Sequence, residues 1–167
     1  MKKVVKFGGS SLASAEQFKK VGEIIKADPN RVYVVPSAPG KRNSKDTKVT
    51  DMLYKTYALA EAKKEFSKQL ADIKARYDEI IDGLKLKLDL SDEFKTIEKN
   101  FKALAGNDYA ASRGEYLNGI IMANYLGYEF IDSATVVVFD KNGEFDGEKT
   151  NKLMSKKLEK TPKAVIP

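Results

Sequence analysis

Apolar positions in the first 36 residues alternate between strand-like and helix-like spacing. Residues 3–7 and 31–35 are short runs rich in β-branched and aromatic side chains, each closed by Gly or Pro, which is typical of strands. Between them, Ser14 and Gln17 match a capping box at a helix start. Helical spacing then follows at Phe18, Val21, Ile24 and Ile25. The pattern predicts a strand–helix–strand unit with parallel strands and a right-handed crossover.

In the middle of the chain, apolar residues recur at the spacing of three and four that is typical of helices. Residues 37–44 are dense in Pro, Gly and Ser and predict a loop, after which a helix starts at about Thr50. Residues 66–88 carry a narrow apolar stripe on a charged helix, and Ser91 is predicted to cap the next one. The stripe is Phe66, Leu70, Ile73, Tyr77, Ile80, Ile81, Leu84 and Leu88. These segments predict an antiparallel helical hairpin at about residues 60–105.

The last sixty residues return to α/β alternation. We expect a helix over 107–126, strands at 128–132 and 135–139, a turn at Asn142-Gly143, a short helix over 153–158 and a strand from Lys163. The predicted fold is therefore α/β: a three-layer αβα sandwich with a mainly parallel sheet and a helical hairpin subdomain.

Composition narrows the chemistry. The 167 residues are 42% hydrophobic, which is enough for one folded core, and include neither Cys nor His. Their absence excludes thiol nucleophiles, disulfides, imidazole bases and ordinary zinc sites, so any metal would be a hard cation such as Mg²⁺. No apolar run approaches the ~20 residues of a membrane span, and the N-terminus lacks a signal-peptide pattern, so a cytoplasmic protein is expected.

The net charge of +6 is unevenly distributed. Residues 1–50 carry +7, whereas residues 103–150 carry −5. No aromatic-interleaved basic stripe or nucleic-acid signature accompanies the basic end, so we expect neither nucleic acid nor a membrane as partner. A compact anion such as a nucleoside triphosphate fits this charge better.

A glycine-rich turn follows the first strand in the segment Lys6-Phe7-Gly8-Gly9-Ser10-Ser11. Glycines let backbone N–H groups approach an anion, a following helix N-terminus adds favourable dipole, and a lysine can offset phosphoryl charge. The segment matches neither a Walker A loop nor G-x-G-x-x-G. The structural alternative is an ordinary tight strand-to-helix turn.

Three further segments carry candidate chemistry. The loop 37–42 leaves the second strand, and parallel pairing would place it beside the glycine turn, while Thr50-Asp51 opens a helix whose N–H groups suit a carboxylate. In Ser112-Arg113-Gly114-Glu115, a helical glycine costs about 1 kcal/mol relative to alanine, which suggests a close approach or a functional demand. Glu115 could hold a substrate ammonium group; the alternative is a solvated ion pair on a helix face.

In this order, these segments resemble the aspartate kinases of the amino acid kinase family. The resemblance rests on residues 6–12, 36–41, 50–51 and 112–115 and extends over the whole chain. It implies the carbamate kinase-like fold, with residues 1–167 forming the N-terminal, substrate-side lobe of the catalytic domain. It also implies that the nucleotide-binding half and the regulatory ACT domains are absent, and that the full-length enzyme is a homo-oligomer.

The resemblance further implies a reaction and roles. ATP, with Mg²⁺, would phosphorylate the side-chain carboxylate of L-aspartate to give 4-phospho-L-aspartate. Lys6 would stabilise the transferring phosphoryl group, while Gly8, Gly9 and Ser10 would cradle phosphate. The residues expected to bind aspartate are Ser37, Thr50 and Glu115; no residue is assigned to a metal.

Two other hypotheses stay open on the sequence. One is a related small-molecule kinase with another carboxylate or phosphate acceptor. The other is a non-catalytic fragment or interaction module in which the helical hairpin is the binding surface. From residues 1–167 alone we expect no measurable turnover, because the resemblance assigns most of the nucleotide site to the missing half.

Overall fold

A computed structural model describes all residues from 1 to 167. Four strands form one sheet: β1 Lys3–Phe7, β2 Arg31–Pro36, β3 Glu129–Phe130 and β4 Ala164–Val165. Six α-helices accompany them: α1 Ala15–Lys26, α2 Val49–Glu61, α3 Ser67–Gly83, α4 Ser91–Lys102, α5 Asn107–Leu126 and α6 Gly147–Glu159. A 3₁₀ turn over Gly9–Leu12 separates β1 from α1.

The sheet is parallel throughout, with strand order β1-β2-β4-β3. In the first pair, Lys6 lies opposite Val35 and Phe7 opposite Pro36, so β1 and β2 end at the same edge. Ser14 caps α1 by accepting a hydrogen bond from the Gln17 amide at 3.4 Å. The strand–helix–strand prediction for residues 3–36 is thus confirmed.

Helices cover the sheet unequally on its two faces. The large hydrophobic core packs residues of α1 to α5 against Val34 and Val165 of the sheet. A smaller cluster, formed by Val32, Tyr33, Ile131, Val136 and Ala164, packs against Met154 and Leu158 of α6. The three-layer α/β prediction is confirmed, with five helices on one side and one on the other. None of these helices combines the length and apolarity required to cross a bilayer.

The helical segment at 60–105 contains α3 and α4, but the predicted bounds of these helices need correction. α3 ends at Gly83 instead of continuing to Leu88, because Lys85 takes a left-handed backbone conformation with φ of 57°. Ser91 is the first residue of α4 and not its cap: its amide and hydroxyl both donate to the Asp89 carboxylate. The buried side chains of both helices belong to the main core.

The strand predicted at 135–139 is wrong. Asp132 caps a 3₁₀ turn over Ser133–Thr135, and the backbone beyond it bonds to the start of α6. The Val138 amide donates to the Thr150 hydroxyl at 2.9 Å, and its carbonyl accepts from Asp146. α6 starts at Gly147, earlier than predicted, because Asp146 caps it. The predicted turn at Asn142-Gly143 is present: Gly143 has φ of 81°, and a bridge joins Phe139 to Phe145.

Candidate functional site

Two glycine-containing loops meet at the carboxyl edge of β1 and β2. The Gly40 amide donates to the Gly9 carbonyl at 2.8 Å. A Cβ on Gly9 would lie 2.8 Å from the Ala38 carbonyl oxygen, and one on Gly40 would lie 2.6 Å from the Gly9 carbonyl carbon. Because both clashes are with backbone atoms, only glycine permits this contact. The predicted adjacency of the two loops is confirmed.

Helix α5 approaches the second loop just as closely. A Cβ on Gly114 would come within 2.7 Å of the Ala38 Cβ and 3.8 Å of the Thr50 hydroxyl oxygen. The glycine therefore brings the segment 112–115 against both the loop and the start of α2. This is the close approach that a helical glycine indicated in the sequence.

These elements enclose a cavity of about 470 Å³. Five of the residues that line it had been singled out in the sequence: Gly9, Ser10, Ser37, Thr50 and Glu115. The others are Ala38, Pro39, Gly40, Lys41 and Lys48. The fold thus gathers residues from four separate stretches of the chain around one space.

The cavity wall has the character of an anion site. The amides of Gly9 and Ser10, and those of Thr50 and Asp51 at the N-terminus of α2, have no acceptor within the protein. Unpaired N–H groups at helix starts bind anions, and the exposed amino groups of Lys41 and Lys48 add positive charge. The site can therefore hold a phosphate or a carboxylate.

Glu115 supplies the negative charge in this wall. Its carboxylate is half-buried, accepts a hydrogen bond from the Ala38 amide at 3.3 Å, and makes no ion pair. The neighbouring Arg113 instead stacks on Tyr109 and Tyr116, with its guanidinium carbon 4.7 and 4.4 Å from the ring centroids. Glu115 is thus not part of a solvated ion pair and is available to a cationic group.

A second cavity of about 520 Å³ also has Glu115 in its lining. It is lined by Ser112, Arg113, Tyr116, Asp132, Ser133, Ala134, Val137, Phe139 and Pro167 in addition to Glu115. Glu115 is the one residue that lines both cavities.

Two predicted site residues lie outside the cavity lining. Lys6 is an exposed residue of β1, and its side chain makes no hydrogen bond or ion pair. Gly8 is exposed and precedes the 3₁₀ turn, where its carbonyl accepts from the Ser11 amide at 3.1 Å. Both are next to the edge where the cavity opens, because the Phe7 carbonyl between them accepts from the Ser37 amide at 3.0 Å.

Three supporting residues were missed in the sequence. Asn118 is fully buried and donates to the Ser37 carbonyl at 2.7 Å, while Tyr77 donates to the Gly114 carbonyl at 2.9 Å. Burial, and next the charge of Glu115, raise the pKa of Tyr77 well above its usual value. Arg76 contacts both loops from α3. For Arg76 the sequence did carry a signal, since it is a charged residue among the apolar positions of the α3 stripe.

The outer end of the second loop is fixed by ion pairs. The Asp46 carboxylate accepts from the Arg42 Nε at 2.9 Å and from the Arg76 guanidinium. The Arg42 hydrogen bond is the main reason that the pKa of Asp46 is held well below its ordinary value, with the bond from Arg76 adding to it. Arg42 also reaches Glu79 on α3 at 2.6 Å. The loop is therefore anchored to α3 at a charged cluster.

No group of three or more acidic side chains is placed to hold a metal ion. The residues present thus do not themselves form a Mg²⁺ site, whereas the unpaired amides around Gly9 and Ser10 fit the phosphates of a nucleotide.

The parallel sheet, the paired glycine loops and the cavity at the strand ends define an α/β protein with an anion site at the carboxyl edge of its sheet. Residues 1–165 match the amino acid kinase family, and the chain belongs to that family. Aspartokinase 3 of Bacillus subtilis is 35% identical over 145 residues, a match that covers 80% of this chain and 31% of the relative. The resemblance to aspartate kinases found in the sequence is confirmed.

Solved structures agree with this assignment. The aspartate kinase of Clostridium acetobutylicum, described as an allosteric enzyme, is 49% identical with a TM-score of 0.95, over 100% of this chain and 39% of that one. Aspartokinase III of E. coli in complex with aspartate and ADP is 20% identical with a TM-score of 0.74, over 99% and 40% of the two chains. The latter shares the fold. The chain thus spans about a third of the curated relative's length.

Proposed function

We propose that this chain forms the acceptor-binding part of an ATP-dependent aspartate kinase. The observation that carries the proposal is the cavity lined together by Gly9, Ser10, Ser37, Thr50 and Glu115, in which the Gly9 and Ser10 amides have no acceptor within the protein. The 49% identity to the Clostridium acetobutylicum aspartate kinase supports aspartate as the acceptor, and the complex of the E. coli enzyme with aspartate and ADP supports a nucleotide as the donor.

In the proposed reaction, an oxygen of the aspartate side-chain carboxylate attacks the γ-phosphorus of ATP. The bond from that phosphorus to the bridging oxygen breaks, giving ADP and 4-phospho-L-aspartate. The transferred group needs no covalent intermediate and no proton acceptor, since the attacking carboxylate is already ionised at neutral pH. Positioning and charge stabilisation are therefore sufficient, and these do not require His or Cys.

The individual residues divide this work. The amides of Gly8, Gly9 and Ser10 hold phosphate oxygens, and Lys6 offsets the charge that builds up during transfer. Ser37 and Thr50 bind the carboxylates of aspartate, and Glu115 binds its ammonium group. The chain offers no acidic cluster of its own for Mg²⁺, so the phosphates of ATP would hold this ion, which would offset part of their charge.

Binding to the chain itself tests the acceptor assignment. We expect calorimetry to show binding of L-aspartate in preference to L-glutamate and uridylate. Glu115→Gln removes a charged hydrogen bond while keeping the side-chain shape, so the affinity for aspartate should fall about 10–100-fold. Glu61→Gln, at an exposed position of α2, is the matched control and should leave the affinity unchanged. Tighter binding of glutamate or uridylate would instead indicate a sibling kinase.

Turnover is tested in a chimera in which this chain replaces the matching 39% of the Clostridium acetobutylicum enzyme. We expect ADP formation that requires L-aspartate and an acyl phosphate that hydroxylamine traps. Lys6→Met should lower kcat about 10²–10³-fold, the usual effect of removing one group that stabilises transition-state charge. An active chimera that is insensitive to both Lys6→Met and Glu115→Gln would contradict the assigned roles.

A further inference from the structure

Helix α3 buries an arginine in the middle of its apolar face. Arg76 lies between Ile73 and Ile80, and its side chain is only 5% exposed. It is not among the residues that line the cavity. Its guanidinium nevertheless reaches out of the helix toward the loops that frame that cavity.

One end of this guanidinium contacts both glycine-containing loops. Nη2 donates to the Gly40 carbonyl at 3.1 Å and to the Ala13 carbonyl at 3.4 Å. Ala13 directly follows the 3₁₀ turn that begins at Gly9, and Gly40 is hydrogen-bonded to Gly9 itself. A single planar group therefore joins the far end of the first loop to the centre of the second.

The other end of the guanidinium contacts the second loop near the loop's C-terminal end, at Asp46. Nη1 pairs with Asp46, whose side chain is 12% exposed and is also bound by Arg42. The loop from Gly40 to Asp46 is thus attached to Arg76 at two points. A planar fork can span these points at once, whereas the single ammonium of a lysine cannot.

An ion pair within this apolar face is not the arrangement that stability alone would favour. The Arg76 Nε is buried and has no hydrogen-bond partner, which is costly. Replacing a whole buried ion pair by hydrophobic residues of similar volume is often neutral or stabilising, whereas removing only one partner leaves the other charge unpaired. The Arg76–Asp46 pair therefore does not by itself explain the arginine, and the contacts that remain to be explained are those of its guanidinium with the two loops.

We propose that Arg76 is a positioning residue for phosphoryl transfer, which fixes the loop after β1 and the loop after β2 relative to each other without touching either substrate. The proposal rests on the proposed kinase function. Tyr77, the next residue of α3, donates to Gly114 beside Glu115, so one helical turn braces three parts of the site. In this proposal the helical hairpin fixes the position of active-site loops in addition to covering the core.

The test compares Arg76→Met, Arg76→Lys and the control Lys74→Met. Lys74 lies two residues earlier on α3, and its 2.8 Å ion pair with Asp78 faces away from the core, with both side chains more than a quarter exposed. Amide hydrogen exchange is measured on the 167-residue chain, and kcat and KM are measured in the chimera. Urea unfolding identifies any variant that fails to fold.

We expect faster exchange at the hydrogen-bonded loop amides of Ser11, Ser37, Ala38 and Gly40 in both Arg76 variants, with exchange in α4 and α6 unchanged. In the chimera kcat should fall about 10–100-fold, as expected when reacting groups are misplaced by about 1 Å, while the KM for each substrate changes much less. Lys74→Met should show neither effect. Unchanged exchange in both loops, or an equal loss of kcat in Lys74→Met, overturns the proposal. If the unsubstituted chimera is inactive, the kinase assignment fails, and the exchange measurement still decides whether Arg76 orders the loops.

Discussion

The sharpest test of the site geometry is Gly114→Ala, because the new methyl group would meet a fixed neighbour. The added Cβ would lie 2.7 Å from the Ala38 Cβ and 3.4 Å from the Leu53 Cδ1. Carbon atoms pack best at about 3.5–4.0 Å, so Ala38 must move by roughly 1 Å. Ala38 has no torsion by which its methyl group can turn aside, and its loop is tied to Glu115 and Asn118.

The expected change in stability is small because two terms oppose each other. Replacing glycine by alanine within a helix stabilises by about 1 kcal/mol, whereas overpacking costs about 1–3 kcal/mol. The net loss in the free energy of unfolding is thus about 0–2 kcal/mol, measured by urea titration. A 1 Å displacement within a binding site has a larger effect, so the affinity for aspartate and the kcat/KM of the chimera should fall about 10–100-fold.

Gly22→Ala in α1 is the matched control. Gly22 is also buried within a helix, but its Cβ would meet the ring of Tyr125 at 2.6 Å, and this half-buried side chain can rotate away. We expect no change in the affinity for aspartate. The reasoning is refuted if Gly114→Ala binds aspartate as tightly as the unsubstituted chain, or if Gly22→Ala loses as much affinity.

Two further predictions concern the supports of the site. The pKa of Asp46 is held below its ordinary value by Arg42, so the stability from this group is complete above about pH 4 and is lost as the pH falls through the lowered value. Asp46→Asn should therefore flatten the decrease in melting temperature below about pH 4, and an unchanged acid profile would show that this carboxyl does not carry it. Tyr77→Phe removes the 2.9 Å bond to the Gly114 carbonyl and should lower the free energy of unfolding by about 1 kcal/mol and weaken aspartate binding. Tyr57→Phe, which loses a 2.7 Å bond from a distant amide, should cost similar stability without affecting that binding; equal losses of affinity would argue against a specific role for Tyr77.

Local sequence signals located most elements but not all of their ends. Helix α1 begins after its capping residue Ser14, as predicted. Helix α5 ends at Leu126, as predicted, because Gly127 takes a left-handed backbone conformation. α3 was predicted too long because the apolar stripe continues to Leu88, although the backbone reverses at Lys85. The spacing of apolar residues indicates which side chains are buried, but it does not indicate where the backbone leaves the helical conformation.

The run Thr135–Phe139 shows the limit of propensity. Its β-branched residues favour a strand, yet a strand requires a partner, and the backbone of Val138 bonds instead to the start of α6. Whether an apolar run joins a sheet depends on what lies beside it in the folded chain.

The sequence by itself determined the strand–helix–strand start, the α/β class and the paired glycine segments. These features depend on neighbours along the chain, which periodicity, capping and glycine content record. The roles expected of residues 37, 50 and 115 came from the resemblance to aspartate kinases. Only the tertiary structure decided that Gly9 contacts Gly40, that Gly114 contacts Ala38, and that Arg76 is hydrogen-bonded to two loops. Contacts between residues up to about 80 positions apart depend on the packing of α3 and α5 against the sheet edge, and no local pattern in the chain specifies that packing.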